Sequence, residues 1–267
     1  MSQSISDRRR VPSVTQSSLR AVAALVLREM STRYGRTPGG YLWAILEPLG
    51  MIIVLSMAFS LLARTPALGT SFLLFKATGF MVLQVFTVLG GQVGHALTFS
   101  KPLLRYPRVA WIDAVMARFL LNGLVVYVVS FLILSGIILY EDIDTLLRWG
   151  PIFLAMGLAA ALGLGIGCLN AFLFMRFPAW QQIWSILTRP LFLVSGVVIL
   201  YETMPPFAQA ILWYNPVLHL TALMREGFYP MYRPDYISLP YVLTCAMIPM
   251  VLGLLLLRRH HRTLLYR

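Results

Sequence analysis

Six apolar stretches constrain this chain more than any other feature. They cover about 41–63, 72–97, 111–140, 150–174, 190–200 and 237–257. All but the one at 190–200 reach the roughly 20 residues that a helix needs to cross a bilayer. The stretches are continuous and do not alternate with a period of two, which favours helices over a membrane barrel. The chain is therefore expected to be an all-α membrane protein with six transmembrane helices.

The charge of the chain is explained by membrane topology. Hydrophobic residues make up 58% of it and charged residues 12%, against roughly 25% charged residues in soluble domains. The net charge is +12, which in a soluble protein would suggest nucleic acid. With six spans and a cytoplasmic N-terminus, 17 of the 22 basic residues lie on the cytoplasmic side. We therefore expect both termini in the cytoplasm and no nucleic-acid partner. The five basic residues placed outside are Arg64, Lys76, Arg148, Arg225 and Arg233.

A more polar segment precedes the first span. Residues 1–18 read as a cytoplasmic tail, and residues 19–36 as an interface segment with a helix over about 19–34. The helix is too polar to span and is expected to lie in the membrane interface, although docking on a partner protein is an alternative. The apolar stripe consists of Leu19, Val22, Ala23, Val26 and Met30, and Arg20, Arg28 and Glu29 lie off it.

Residues 201–236 are interrupted by five prolines, at positions 205, 206, 216, 230 and 234. The prolines leave two apolar pieces, about 207–214 and 217–228, and neither is long enough to cross a bilayer. A short helix can dip into the membrane and return where protein covers its backbone. We therefore expect a re-entrant helical segment between spans five and six. The whole chain, 1–267, is then one transmembrane domain, with a bundle over 41–257 and a cytoplasmic tail over 258–267.

Catalytic chemistry has little support in the sequence. Lys76 and Lys101 are the only lysines, and no Gly-x-x-x-x-Gly-Lys-Ser/Thr motif is present, so ATP hydrolysis is not expected in this chain. No His or Cys spacing predicts a metal site. Ser195 with His219 as a base could form an intramembrane serine hydrolase, but Ser195 is more simply a helix-packing hydroxyl.

Glu47 is an unusual residue in the first span. A carboxylate inside a membrane segment is costly and marks a candidate functional site. The competing interpretation is an interfacial Glu47 that pairs with Arg33 or Arg36 and holds the interface helix against the span. Pro48 predicts a break in the helix at this depth. The sequence favours the pairing but leaves both interpretations open.

Glycines and aromatic residues are concentrated at particular places. Gly90 and Gly94 form a Gly-x-x-x-Gly step, and Gly163, Gly165 and Gly167 a small-residue stripe, both of which predict close helix packing. Aromatic residues crowd the span ends. They can form an interfacial belt, or a surface on which sugar rings pack at a pore mouth.

Two motifs resemble those of a known family. The stretch Arg33-Tyr34-Gly35-Arg36, followed by Tyr41-Leu42-Trp43-Ala44 and Leu46-Glu47-Pro48-Leu49, is similar to the start of polysaccharide export permeases of the type-2 ABC exporters. A second pattern, general to that class, comprises Thr188, Leu191 and Ser195, then Met204-Pro205, then Pro216, His219 and Arg225. Val194 and Val217 depart from it. The small size of the chain favours the capsular polysaccharide branch.

The resemblance implies roles for three groups of residues. A gate for a lipid-linked phosphate would be formed by Arg33, Arg36, Tyr41, Trp43 and Glu47. The segment that couples to the ATPase would contain Lys101, Pro102, Leu104, Arg105, Tyr106 and Arg108, and would extend toward Arg118. A periplasmic gate with pore-lining aromatics would contain Tyr201, Phe207, Trp213, Tyr214, His219, Arg225 and Phe228.

The resemblance also implies partners. Two copies of the chain would form a pore in the bacterial inner membrane, with two separate ATPase subunits that bind ATP and magnesium; the chain itself would need no cofactor. The cargo would be a lipid-linked capsular polysaccharide, and envelope-spanning export proteins in the periplasm and outer membrane would receive it. Membrane lipids would surround the bundle. The alternatives are an O-antigen or teichoic acid exporter, or an exporter of small molecules or drugs.

Overall fold

The protein is described by a computed structural model covering residues 14–33, 39–62, 65–104 and 110–265, with the side chains of all of these except 14–17, 32, 33, 41, 62 and 262–265. The described chain is helical, with short turns between helices. The helices are α1 (Val14–Arg33), α2 (Gly40–Leu62), α3 (Phe72–Gly94), α4 (Ala96–Ser100), α5 (Trp111–Tyr140), α6 (Trp149–Arg176), α7 (Ala179–Val194), α8 (Pro206–Leu212), α9 (Pro216–Phe228) and α10 (Leu239–Leu265).

Five helices within the described ranges are long and apolar enough to cross a membrane: α2, α3, α5, α6 and α10. They match five of the six predicted stretches, so the prediction of an all-α membrane protein is confirmed. Two boundaries differ. The second stretch is broken at His95, where α3 ends and α4 begins. The last helix continues to Leu265, because no proline or glycine follows Gly253, so most of the predicted tail at 258–267 is helical.

The stretch predicted at 190–200 is arranged differently from a single helix. Helix α7 begins eleven residues earlier, at Ala179, and ends at Val194, while residues 195–200 are not helical. Gly196 has a φ of 73°, a left-handed conformation that ends a right-handed helix and that favours glycine. With 16 residues, α7 by itself is shorter than the roughly 20 residues of a full span.

Closely packed glycines hold α6 between α3 and α10. A Cβ atom on Gly163 would lie 2.8 Å from Leu89 Cβ, and one on Gly167 would lie 2.7 Å from Val93 Cβ, so both glycines face α3. A Cβ atom on Gly165 would lie 2.1 Å from the carbonyl oxygen of Ala246 on α10. The predicted close packing is thus confirmed, but the three glycines serve two opposite faces of α6 and not a single stripe.

Helix α7 and the non-helical residues after it run antiparallel along α3. Trp184 packs against Phe86 near one end, and Phe192 packs edge-on against Phe80 at 6.1 Å between ring centroids. Farther along, Val197 lies against Gly79, and Val198 is hydrogen-bonded by Lys76. Residues 179–200 therefore extend along α3 from about Gly90 to Lys76.

Two short helices follow this segment, at the positions where the two apolar pieces were predicted. Helix α8 has seven residues and is partly exposed, whereas α9 has thirteen residues, nearly all buried. Helix α9 packs at the end of the bundle that also holds the α5–α6 connection, since Arg148 donates its backbone N–H to Gly227 O at 2.9 Å. A short buried helix of this kind needs cover on every side, and α3 and α6 supply much of it.

Helix α1 packs against α5 at the opposite end of the bundle, next to the α3–α4 connection. The packed side of α1 contains Ser18, Val22, Leu25 and Glu29, about one residue out of phase with the predicted stripe. Leu19 and Leu27 are each about two-thirds exposed on another side. Glu29, which the sequence placed off the apolar stripe, lies on the packed side because it pairs with a buried arginine of α5.

Candidate functional site

The contact of α1 with α5 depends on polar groups at both ends of a small apolar patch. Arg118 Nη2 lies 3.2 Å from Glu29 Oε1, and the two side chains are only 7% and 13% exposed. About three helical turns away along α1, the Ser18 hydroxyl donates to the Asp113 carboxylate. The other oxygen of Asp113 accepts the backbone N–H of Ala110 at 3.0 Å and caps the start of α5. Asp113 and Arg118 are therefore buried within the protein where α1 packs on α5.

Arg118 also joins two further helices. Its Nη1 donates to the carbonyl oxygen and to the side-chain Oε1 of Gln92, both at 3.3 Å, near the end of α3. The guanidinium lies 4.2 Å from the ring centroid of Phe99 in α4. One buried arginine thus contacts α1, α3 and α4 from its position on α5. We name Glu29, Phe99 and Arg118, with Gln92, the Arg118 cluster.

The predicted ATPase-coupling segment begins directly after α4. Residues 101–104 form a turn in which the backbone N–H groups of Leu103 and Leu104 both donate to Ser100 O. Leu104 is buried in the apolar cluster beside α1, whereas Pro102 is exposed and Lys101 is partly exposed. The predicted residues Arg105, Tyr106 and Arg108 lie outside the described residues. The described part of the segment is therefore anchored to the bundle two residues after Pro102.

The predicted lipid gate is only partly described. Trp43 is 60% exposed on α2, and Glu47 is exposed on the same helix. Arg36 and the side chains of Arg33 and Tyr41 lie outside the described residues, so the predicted pairing with Glu47 stays a prediction. The break expected at Pro48 is not observed, since α2 is continuous from Gly40 to Leu62 and Pro48 lies inside it.

The residues after α7 form the most unusual part of the structure. We name residues 194–200 the carbonyl segment, because its buried backbone oxygens accept hydrogen bonds from side chains. Ser195, Val197, Val198 and Leu200 are buried, although the backbone is not helical. Within a membrane such a backbone must find its hydrogen-bond partners in the protein. The donors are Asn215 Nδ2 to Val194 O (3.0 Å), Thr221 Oγ1 to Ser195 O (2.8 Å), Arg225 Nη2 to Val197 O (3.2 Å) and Lys76 Nζ to Val198 O (2.6 Å).

Three of these four donors lie within α9 or at its N-cap. Asn215 is the N-cap of α9, since its Oδ1 accepts the backbone N–H of Val217 at 3.0 Å. Thr221 and Arg225 follow at positions four residues apart and so share one face of the helix. The helix that covers the carbonyl segment therefore contains the predicted pattern of Pro216, His219 and Arg225. Asn215 and Thr221 were not predicted, and an N-cap asparagine before a proline is the signal that indicates the first of them.

Lys76 is the fourth donor, and its position differs from the expectation. The sequence placed it near the end of a span, where a lysine can extend to the membrane surface. In the structure it is 2% exposed, and Nζ lies 3.9 Å from the ring centroid of Phe59 on α2. Arg225 is 1% exposed, and its guanidinium lies 3.9 Å from the ring centroid of Phe75. A single lysine in an otherwise apolar run was the sequence signal for this site.

His219 connects three pieces of the chain near the same end of the bundle. Its Nδ1 accepts the backbone N–H of Ser238, so Nε2 carries the proton and donates to Trp213 O at 2.8 Å. Burial lowers the pKa of His219 below its ordinary value. The Ser195 hydroxyl instead accepts a hydrogen bond from Asn215 Nδ2 at 2.9 Å. Both ring nitrogens of His219 are thus engaged by backbone groups, and neither activates Ser195.

An aromatic group surrounds His219. Trp213 stacks with Tyr241 at 5.2 Å between ring centroids and meets His219 edge-on at 5.3 Å, and Tyr201 lies 4.1 Å from Tyr236. Of the remaining predicted aromatics, Tyr214 meets Trp213 edge-on at 5.5 Å between ring centroids, whereas Phe207 and Phe228 are separate from the group. Phe207 and Tyr214 are exposed by more than two-thirds, whereas Phe228 is buried in the main core. The structure therefore brings Tyr201, Trp213 and His219 together and leaves Phe207 and Phe228 apart.

A second polar contact links the turn after the carbonyl segment to the residues before α10. The Tyr232 hydroxyl donates to Glu202 Oε1 at 2.8 Å and lies 3.5 Å from the Tyr236 hydroxyl. Burial, with Tyr236 and Glu202 as neighbours, raises the pKa of Tyr232. The tyrosine therefore stays protonated and donates a hydrogen bond to the carboxylate. This hydrogen bond holds Glu202 at the rim of this region.

Residues 20–229 match the family model described as ABC-2 type transporter. The chain belongs to this family. It is 30% identical to the Polysialic acid transport protein KpsM of Escherichia coli over 244 residues, which cover 91% of this chain and 95% of that protein. It is 24% identical to the Capsule polysaccharide export inner-membrane protein CtrC of Neisseria meningitidis. It is 23% identical to the Capsule polysaccharide export inner-membrane protein BexB of Haemophilus influenzae.

These relatives match along nearly their whole length. The match to CtrC covers 90% of this chain and 91% of that protein, and the match to BexB covers 90% of each. The predicted membership of the type-2 ABC exporter permeases is therefore confirmed, and so is its place beside the capsule polysaccharide export proteins. The chain is accordingly a transport component of an exporter.

Proposed function

We propose that this chain is the membrane subunit of an ATP-driven exporter that moves a lipid-linked, acidic capsular polysaccharide across the bacterial inner membrane. The observation that carries the proposal is the end-to-end match to proteins whose descriptions name capsule polysaccharide export or polysialic acid transport. Polysialic acid is itself an acidic polymer, in keeping with the proposed cargo.

Six crossings with both termini in the cytoplasm form part of the proposal. Five are the long apolar helices, and the sixth is α7 together with the carbonyl segment. The antiparallel packing of residues 179–200 along α3 supports this count, because a segment that follows most of a spanning helix traverses most of the same thickness. The excess of Arg and Lys in the segments assigned to the cytoplasm supports the orientation.

The region between the sixth crossing and α10 is proposed to be a re-entrant gate on the periplasmic side. Helices α8 and α9 follow the end of the sixth crossing. The contacts of α9 with Arg148 and with Phe75 place it at the same end of the bundle as the carbonyl segment. The aromatic group around His219 would line the outer mouth. Sugar rings present C–H faces that pack well on aromatic rings.

On the cytoplasmic side, α1 is proposed to lie in the membrane interface. Its packed face binds α5, while Leu19 and Leu27 on another side are exposed and suited to lipid. The lipid-linked phosphate would enter beside Arg33, Arg36, Tyr41 and Trp43, because arginine at the membrane surface binds phosphate through paired hydrogen bonds.

The segment after α4 is proposed to dock the ATPase, which would bind ATP and magnesium. The Arg118 cluster supports a coupling role, since it joins α4, which leads into that segment, to the interface helix α1. A displacement of residues 101–109 would then reach α1 through Phe99, Arg118 and Glu29. The partner ATPase and the envelope-spanning proteins beyond the inner membrane are inferred from the kind of exporter proposed.

A homodimer is proposed because of the exposed side of α2. Glu47 is exposed on a helix whose neighbouring exposed residues, Trp43, Leu46 and Met51, are apolar. A carboxylate at membrane depth is stable only against protein or water, and a second copy or a water-filled path would supply either. Two copies that meet around α2 would give Glu47 a protein partner and would cover the apolar residues beside it.

Deletion of the gene tests the proposal. We expect loss of the surface capsule, accumulation of lipid-linked polymer in the cytoplasm, and restoration of both by the wild-type gene. Surface capsule would be measured by antibody or lectin binding, and retained polymer by extraction after cell fractionation. Normal capsule together with altered drug sensitivity would instead identify an exporter of small molecules. Altered lipopolysaccharide side chains, with normal capsule, would identify an O-antigen exporter.

A further inference from the structure

Two buried cations hold consecutive carbonyl groups of the carbonyl segment. Lys76 on α3 donates to Val198 O at 2.6 Å, and Arg225 on α9 donates to Val197 O at 3.2 Å. The two side chains are 2% and 1% exposed. They approach from different helices and meet on adjacent residues of the same non-helical backbone, so the position of this backbone depends on both.

The charges of Lys76 and Arg225 are not balanced by a carboxylate among the residues that the structure describes. The ion pairs in that part of the chain join Arg118 to Glu29 and Arg148 to Glu226. Glu202, which lies beside this region, accepts a hydrogen bond from Tyr232. Two buried cations that face neutral carbonyl oxygens are less well compensated than they would be beside an anion, because a buried charge requires a partner of opposite sign.

Donor capacity also remains unused at this place. Arg225 Nε and the Tyr229 hydroxyl are buried and have no hydrogen-bond partner within the described ranges. Buried donors without a partner are rare, and each one requires an explanation. An anion that entered beside Arg225 would satisfy the guanidinium edge and would neutralise part of the local charge.

The backbone that the two cations hold is not helical. The carbonyl segment contains Gly196 at φ 73°, connects the end of α7 to a 3₁₀ turn at Tyr201–Thr203, and receives side-chain donors in place of a helical ladder. The side chain of Ile199 is already 47% exposed. Release of Val197 O and Val198 O would therefore break two side-chain hydrogen bonds without unwinding a helix.

From these observations we propose that Lys76 and Arg225 form an anion-operated latch on the carbonyl segment. An anionic oxygen of the exported molecule, from a sugar carboxylate or from the lipid-linked phosphate, replaces the carbonyl oxygens of Val197 and Val198 as their partner. The segment is then released, and the outer end of the path opens only when cargo has arrived. The inference rests on the proposed export of an acidic polymer.

Hydrogen–deuterium exchange of the full-length chain in detergent micelles tests the latch. The probes are an oligomer of sialic acid, the same oligomer with its carboxyl groups reduced to alcohols, and inorganic phosphate. We expect the acidic oligomer or phosphate to speed exchange of the buried backbone amides of residues 195–200 by roughly tenfold or more, because release of the segment exposes these amides to solvent. The reduced oligomer should have no such effect. A response to the oligomer assigns the anion to the sugar, and a response to phosphate alone assigns it to the lipid link.

Variants make the result specific to the latch. Lys76→Gln keeps a hydrogen-bond donor but removes the charge, and it should abolish the response, whereas Lys76→Arg should retain it. Arg233→Gln removes an exposed cation after α9, and should respond like the wild type. Equal exchange with and without both anions in the wild type would overturn the latch. If deletion of the gene abolishes the capsule while exchange stays unchanged, the latch fails and the proposed function stands.

Discussion

Glu29 of α1 and Arg118 of α5 form a buried ion pair, with Oε1 and Nη2 3.2 Å apart. The pair connects α1 to the helix that follows the proposed ATPase-docking segment. Arg118 also contacts Gln92 and the ring of Phe99, so it connects α1 with the ends of α3 and α4. A motion of the docking segment therefore has a direct physical route to the helix beside the proposed lipid gate.

Removal of one partner of this pair should destabilise the protein strongly. Glu29→Ala leaves the Arg118 charge buried, and breaking a buried pair in this way costs about 3–5 kcal/mol. The double exchange Glu29→Arg with Arg118→Glu should recover part of the loss. Thermal unfolding in detergent measures both effects. A Glu29→Ala variant as stable as the wild type would show that the pair has no role in docking α1.

Arg33 and Arg36 are predicted to bind the phosphate of the lipid link. Arg33→Ala and Arg36→Ala should each reduce capsule export while the protein still reaches the membrane and assembles. Arg20→Ala is the matched control, since Arg20 is an exposed arginine of α1. Capsule on the cell surface and protein in isolated membranes are the two measurements. Unchanged export in both variants would contradict the phosphate role.

Arg105 and Arg108 are predicted to contact the ATPase. Arg105→Glu or Arg108→Glu should weaken the complex, because charge reversal at an interface replaces attraction with repulsion. Co-purification of the tagged chain with its ATPase measures this directly. The Arg233→Glu variant should co-purify normally, because Arg233 lies on the opposite side of the membrane in the proposed topology. Normal co-purification and export for both reversed variants would exclude the segment as the docking element.

Gly165 should tolerate no side chain, because a Cβ atom would lie 2.1 Å from the carbonyl oxygen of Ala246. Gly165→Ala must push α6 and α10 apart, and overpacking of this kind costs about 1–3 kcal/mol or more. Gly157→Ala on the same helix is the control, since nothing lies within 4 Å of its Cβ position. Thermal unfolding should fall for the first variant only. Equal stability of the two would show that α6 and α10 can separate at low cost.

His219 should make the protein less stable in acid. Burial lowers its pKa below the ordinary value of 6.5, so the unfolded chain binds the proton more readily than the folded one. The contribution to stability is present above about pH 6.5 and is lost as the pH falls toward the lowered pKa of the folded state. His219→Gln lacks this titration, so its unfolding temperature should fall less than that of the wild type between pH 7.5 and 5.5. Identical pH profiles would indicate that His219 has the same pKa in the folded and the unfolded chain.

The sequence alone was sufficient for the fold class and for the two motifs that indicate the family. Continuous apolar stretches predict spanning helices wherever a single segment satisfies its own backbone, which is why α2, α3, α5, α6 and α10 were found. The prolines of 201–236 likewise predicted the two short helices α8 and α9. These inferences depend on local properties of the chain, namely length, hydrophobicity and helix-breaking residues.

Only the tertiary structure decided how the polar residues of the apolar region are used. Nothing in the local sequence shows that Lys76 and Arg225, 149 positions apart, meet on the carbonyl groups of Val197 and Val198, or that Glu29 turns toward Arg118. A buried polar group takes whichever partner the packing of distant helices brings to it, because in a low-dielectric interior the lack of a partner is costly. The apolar residues thus specify where the chain crosses, while the partners of its few buried charges depend on the folded arrangement.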